Sequence, residues 1–284
     1  MEFVKKFLAT LRLVRFEHAL MFGLSVLIAE LIATNGIIIF SQTIFFSFFV
    51  PILSEMGAFA LNDLMDVESD RINKKMDRPL VSGELSKNFA MQISVASFML
   101  ALVLAYLINP FIFINSLAIF YNILLKDLPL IGNIYVALTM GIPFIFGNYV
   151  VSDVLNPANV LLAILGFIVG LGREITKTVE DMRGDKTARK SKTLPMFIGS
   201  EKSLTIAGIL YALFAVISVV PYYLYLNVGP ALFLVMVADG IFLYFSIILI
   251  FSKRKNQFLP LARKLSLLAL LLGLFGILGS VLGY

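Results

Sequence analysis

Apolar residues fall in long unbroken runs, not in the period-two alternation of half-buried strands. Nine such runs lie near residues 18–40, 43–61, 88–107, 109–125, 132–151, 157–175, 203–223, 228–251 and 265–283. A helix crosses about 30 Å of hydrocarbon with roughly 20 mainly apolar residues. The spans of a membrane barrel would instead be ten-residue alternations separated by turns. The pattern therefore predicts an all-α integral membrane protein with nine transmembrane helices and one domain over 1–284. The first run follows a basic stretch, MEFVKKFLATLRLVRFEH, which has no small-residue cleavage site, and it reads as a retained span.

Composition removes the other classes. Hydrophobic residues make up 60% of the 284 and charged residues 14%, with a mean hydropathy of +0.94. Soluble chains are about 45–50% apolar and about 25% charged, so this chain has more apolar surface than one core can hide. The absence of cysteine excludes a disulfide framework, a thiolate nucleophile and cysteine-based metal sites. The single histidine, His18, excludes chemistry that needs several imidazoles.

The positive residues order the spans. All 23 Lys and Arg lie in the N-terminal segment and in the connections after runs two, four, six and eight. The intervening connections and the C-terminus carry none. Positive residues concentrate on the cytoplasmic side, which predicts a cytoplasmic N-terminus in the cell membrane. The net charge of +5 is thus a topology signal with attraction to anionic membrane lipid, not a nucleic-acid signal.

Topology does not account for the acids among those positives. In the connection spanning about 62–87, Asn62, Asp66 and Asp70 are spaced four apart, with Asp63 one residue off the row and Glu55 deeper on the same stripe. If run two continues as a helix, that spacing puts the three on one face. Like charges so placed repel unless a cation binds, and carboxylate plus amide oxygens suit a hard ion such as Mg²⁺. In the connection spanning about 173–202, Asp181 and Asp185 are again four apart, Lys177 lies one turn earlier, and Gly184 loosens the helix end. Two acidic faces ringed by Arg and Lys on one membrane side suggest metal-bridged binding of a diphosphate. The bland alternative is a pair of solvated loop edges of mixed charge.

These residues carry a resemblance. Asn62-x-x-x-Asp66-x-x-x-Asp70, followed by Arg78-Pro-Leu-Val-Ser-Gly, resembles the first aspartate-rich motif of the UbiA family of intramembrane prenyltransferases. Val179-Glu-Asp-Met-Arg-Gly-Asp185 resembles the second, and Tyr121-Asn122-Ile-Leu-Leu-Lys126 resembles the segment after the fourth span. Arg15 stands where many members have an Arg-Pro start, with Phe16 in place of the proline. The resemblance implies nine helices around a central cavity, with both motifs at its cytoplasmic mouth. It implies that Asn62, Asp66 and Asp70 hold one Mg²⁺ and that Asp181 and Asp185 hold another. Arg15, Lys74, Arg78, Asn122, Lys126 and Lys177 would bind the isoprenyl diphosphate, and Tyr121 would shield the developing allyl cation.

Within the family, the second motif with Lys192-Thr-Leu-Pro is most like the archaeal ether-lipid branch. Its members transfer a geranylgeranyl group to the hydroxyl of geranylgeranylglyceryl phosphate. The basic run Lys186, Arg189, Lys190 and Lys192 would meet that acceptor's phosphate. An aromatic acceptor, as in quinone or haem biosynthesis, stays open on the same motifs. A secondary transporter is a further alternative, since Glu30, Glu55 and Asp239 lie within spans. His18 is expected to pack at the interface. Glu30 and Asp239 are expected to need hydrogen-bond partners, with close helix approach at Gly240.

Overall fold

The computed structural model describes residues 2–37, 40–109, 131–184, 187 and 193–284. Among these there is helix and no strand. In chain order the helices are α1 (Glu2–Leu13), α2 (Phe16–Ala33), α3 (Gln42–Ile72), α4 (Lys87–Ile108), α5 (Ile131–Val151) and α6 (Pro157–Gly184). They continue with α7 (Leu194–Ile198), α8 (Ser200–Ile217), α9 (Val220–Leu224), α10 (Leu232–Phe251) and, after a short 3₁₀ turn, α11 (Leu259–Val281).

Eight helical segments among the described residues are long and apolar enough to cross a membrane. They correspond to eight of the nine predicted spans, and the predicted span at 109–125 falls almost wholly outside the described residues. Two boundaries differ. The first span stops at Ala33, not near 40, because Asn35 and Gly36 turn the chain with φ of 54° and 82°. The second and sixth predicted spans run further than their apolar stretches. α3 has 31 residues and α6 has 28, about 46 Å and about 42 Å at 1.5 Å per residue. Each exceeds the hydrocarbon thickness, so the excess carries an acidic motif on continuous helix.

The chain divides into two compact units. The first draws on Met1–Leu24, Phe40–Leu125 and Arg183–Ser191. Its α3 and α4 pack side by side, with Ser41 and Ser86 capping their N-termini by accepting from the amides of Ile44 and Phe89. At one end, Ala60, Val67, Leu80, Leu85 and Ala90 close over Ala9 and Leu13 of α1.

The second unit draws on Ser25–Ile39, Lys126–Met182 and Lys192–Tyr284. Its core joins α6, α8, α10 and α11 around Tyr211, Phe242, Phe245 and Leu249. Backbones approach closely where glycine leaves room. A methyl on Gly141 of α5 would lie 2.5 Å from the Ala163 carbonyl oxygen of α6, and one on Gly166 would lie 2.6 Å from that of Met140. In the same unit three asparagines tie loop to helix. Asn159 donates to the Asn148 side-chain oxygen at 3.0 Å and to the Ala29 carbonyl at 2.9 Å, and the Asn156 amide donates to Asn148 at 2.9 Å.

The acids inside spans behave largely as expected. Asp239 accepts a 2.7 Å hydrogen bond from Ser218, and Glu30 is fully buried. Among the described residues nothing lies within 4 Å of a methyl placed on Gly240, so the close approach expected there is not made to any of them. The tight α10–α11 seam uses Gly276 and Gly279 instead, each 2.5 Å from side-chain atoms of Val235 and Ala231 respectively if given a methyl. Gly166→Leu should therefore cost about 1–3 kcal/mol of stability through overpacking. Thermal unfolding in detergent should show a lowered Tm for it, with little change for Gly273→Leu, where a methyl meets nothing within 4 Å among the described residues.

Candidate active site

In the first unit the acidic motif rides on the last three turns of α3. Helical continuity to Ile72 puts Asn62, Asp66 and Asp70 on one face, as their spacing predicts. The Asn62 side-chain amide donates to Asp66 Oδ2 at 2.9 Å, the contact that an i, i+4 pair permits. This orients the amide so that its oxygen is turned elsewhere. Asn62 Oδ1 is buried and accepts no hydrogen bond among the described residues. A buried, unused amide oxygen beside a carboxylate is a donor set suited to a hard cation.

No three His, Cys, Asp or Glu side chains among the described residues gather closely enough to cage a metal. Mg²⁺ does not require that, since it takes one or two carboxylates and fills its shell with water and substrate phosphate. The residues present fit such an ion.

Asp63, one residue off the acidic row, is the centre of the cluster. Its side chain is 1% exposed and receives two guanidinium groups. Arg15 Nη2 donates to Asp63 Oδ1 at 2.9 Å, and Arg78 Nη1 donates to Oδ1 at 2.9 Å and to Oδ2 at 3.1 Å. Asp70 pairs with Lys75 at 3.1 Å and lies 3.9 Å from Arg78 Nε. Three cations thus face these two carboxylates in a poorly solvated place, and Asp77 adds a further negative charge near Arg78. Burial and then the neighbouring Arg78 push the Arg15 pKa down. Burial also acts to lower that of Arg78, but Asp63, Asp70 and Asp77 together raise it. Both guanidiniums remain charged, because the ordinary arginine value lies so far above neutrality.

The backbone helps to place Arg15. The chain breaks between α1 and α2, and Arg15 takes φ of 44°, a left-handed conformation that costs a side-chain-bearing residue about 1–2 kcal/mol. The Asp63 pairing and the Phe59 ring, whose centroid is 4.5 Å from the guanidinium carbon, hold it there. His18 packs edge-on to the same ring at 5.7 Å, the packing role expected of it. Lys74 differs from the other predicted cations. It is exposed at a left-handed turn with φ of 57°, and Lys75 is the lysine that meets Asp70.

The second unit takes in α6 as far as Met182, and with it the other motif up to that residue. Arg173, Lys177 and Asp181 fall on one face by their four-residue spacing. Asp181 is buried, and Lys177 lies 3.6 Å from Glu174. Arg173 Nη1 donates to Ser266 Oγ at 2.7 Å, and Arg263 pairs with Glu180 at 3.5 Å. Tyr121, Asn122, Lys126 and Asp185, with the basic positions 186, 189, 190 and 192, lie outside the described residues.

Asp63 and Lys75 were not among the predicted site residues. Asp63 differs from its neighbours only in angular position on the helix, about 100° from Asn62. The signal that could have singled it out is that an off-row acid in a helix already crowded with acids needs its own counter-charge, and Arg15 and Arg78 lie in adjoining segments.

A family model described as the UbiA prenyltransferase family matches residues 22–268. A digeranylgeranylglyceryl phosphate synthase from Archaeoglobus fulgidus is 34% identical over 93% of this chain and 92% of its own length. A solved structure of a digeranylgeranylglyceryl phosphate synthase superposes with a TM-score of 0.64 at 30% identity, covering 95% of this chain and 99% of that one. A UbiA homolog from Archaeoglobus fulgidus bound to GPP and Mg²⁺ shares the fold, with a TM-score of 0.60 at 22% identity over 95% and 99% of the two chains. With eight apolar helices among its described residues and this family model across most of its length, the chain is a multi-pass membrane protein and a member of the UbiA prenyltransferase family.

Proposed function

We propose that this protein is a Mg²⁺-dependent prenyltransferase that moves a geranylgeranyl group from geranylgeranyl diphosphate to the hydroxyl of geranylgeranylglyceryl phosphate. The products are digeranylgeranylglyceryl phosphate and diphosphate, in archaeal ether-lipid biosynthesis. The observation that carries this reading is the 34% identity, over 93% of the chain, to a relative of that activity. The related UbiA structure with GPP and Mg²⁺ bound supports the donor class and the metal.

Asn62, Asp66 and Asp70 would hold one ion, and Asp181 and Asp185 another. Mg²⁺, when bound, offsets the negative charge that grows on the departing diphosphate. The chain's own cations serve the same end. Arg15, Arg78 and Lys177, with Lys74 and Lys126, bind phosphate oxygens, and Asn122 assists in orienting the donor. The two guanidiniums gathered at Asp63 give an anion partners at the motif end of the first unit. Asp63 uses one nitrogen of each guanidinium, leaving the others to turn to substrate. The bond between C1 and the diphosphate oxygen breaks, the acceptor oxygen bonds to C1, and the hydroxyl proton leaves with diphosphate. Tyr121 shields the cationic allyl carbon, and an apolar surround keeps water from capturing it. All of 1–284 acts as a single prenyltransferase domain in the cell membrane. Its acidic motifs face the cytoplasm, the side to which all 23 Lys and Arg assign them.

The deciding experiment is turnover of labelled geranylgeranyl diphosphate against a panel of acceptors, with products identified by mass. The expected product is the diether phosphate, formed with Mg²⁺ and lost on chelation; prenylated 4-hydroxybenzoate in its place would transfer the protein to the aromatic-acceptor branch. Asp66→Ala and Asp181→Ala should each lower turnover by about a hundredfold or more, the scale of losing one preorganised electrostatic group. Neither removes packed apolar volume, so both should keep near-parental Tm. Asp63→Asn should behave differently, because it strands two guanidiniums. It should cost about 3–5 kcal/mol of stability, and enzyme that still folds should show a raised KM for the diphosphate with that for the acceptor nearly unchanged. Equal KM values for parent and variant would reduce Asp63 to a structural staple.

A further inference from the structure

The N-terminal helix α1 is not one of the spans. Its 12 residues reach about 18 Å, too short to cross, and Lys5, Lys6 and Arg12 interrupt it. Ala9 and Leu13 are fully buried, packed on the end of the first unit where α3 finishes and α4 begins. Lys6 Nζ sits 4.8 Å from the ring centroid of Phe89, the third residue of α4. Arg12 pairs with Glu84, just before that helix. Lys6, in the middle of α1, thus contacts the start of α4, and Arg12, near its C-terminal end, contacts the connection before that helix.

The opposite face is apolar and open. Phe3, Phe7 and Leu11 follow one another at four-residue spacing, flanked by Val4 and Leu8. Phe3 is 81% exposed and Phe7 53%. Lys5 and Lys6 are exposed on either flank of that stripe, and the one acid of the helix is Glu2. An apolar stripe bordered by lysines, on a short helix at the membrane end of a unit, fits the boundary between headgroups and acyl chains. The lysines fit anionic headgroups.

We propose that α1 is an interfacial helix. Its Phe3–Phe7–Leu11 face enters the acyl boundary of the leaflet next to the first acidic motif, and Lys5 and Lys6 hold anionic lipid headgroups. The contact anchors the segment that leads directly to Arg15. It is independent of which prenyl acceptor the enzyme uses.

The chain contains no tryptophan, so Phe7→Trp introduces a single reporter, and Phe3→Trp a second at a position with less packing. Each variant would be reconstituted as full-length protein, one copy per nanodisc, in lipid brominated at shallow or deep acyl positions. The expected result is blue-shifted emission, strongest quenching by shallow bromines and weak quenching by aqueous iodide. Strong iodide quenching without bromolipid quenching would mean a water-exposed face and overturn the proposal, as would strongest quenching by deep bromines. So would a blue shift seen only when two copies share a disc, which would assign the face to self-association. With Lys5→Gln and Lys6→Gln added, emission in discs with anionic lipid should move toward that in purely zwitterionic discs. Identical emission with and without the lysines would remove the headgroup contact.

Discussion

Hydrocarbon offers no hydrogen-bond partner, and most of this molecule's architecture answers that constraint. Every span must close its backbone bonds within itself, so helices follow. Between helices the apolar side chains gain little over lipid, and close contact has to come from small residues. Hence Gly141 and Gly166 let α5 and α6 meet backbone to backbone, and Gly276 and Gly279 do the same for α10 and α11. Some polar groups that remain at depth are paired from nearby elements, as the Asn159 amide nitrogen is with Asn148 and Ala29, and Asp239 Oδ2 with Ser218.

The same constraint drives the charged groups to the helix ends, where two opposite demands meet. A site for a multiply charged anion needs surplus positive charge held in place, yet unpaired guanidiniums are costly away from water. The cluster at the end of α3 resolves this by division of labour. Asp63 is committed to Arg15 and Arg78, while Asn62 and Asp66 bond to each other and keep the Asn62 amide oxygen buried and unused. Adjacent acids on one helix thus do different work because a helix turns about 100° per residue. One faces the arginines and the other joins the metal-suited row. The strained φ of Arg15 fits this arrangement, since relaxing it would pull the guanidinium from its carboxylate.

Much of this was legible in the chain itself. Long apolar runs determine helices because lipid admits few alternatives, and eight of the predicted spans appear among the described residues. The four-residue spacing of Asn62, Asp66 and Asp70 determined a shared face as soon as α3 continued beyond the bilayer. Less legible were features in which one segment answers another. α1 has too few residues to register as a span, and it is helical because Ala9 and Leu13 find Ala60 and Val67. Gly240 and Gly276 look alike in sequence, but among the described residues a neighbouring helix lies close against the second and not the first.

Sequence alone therefore determined class, the approximate positions of the eight described spans and the family motifs. Each of these depends on local composition or on spacing along one helix, quantities that the bilayer and the helical period translate directly into structure. Tertiary structure decided the pairings: that Asp63 and not its neighbours binds two arginines, that Lys75 and not Lys74 meets Asp70, and that α1 packs on its unit through Ala9 and Leu13. Those outcomes depend on which residues from distant segments share a small poorly solvated volume. There, an ångström of displacement separates a hydrogen bond from an unpaired charge.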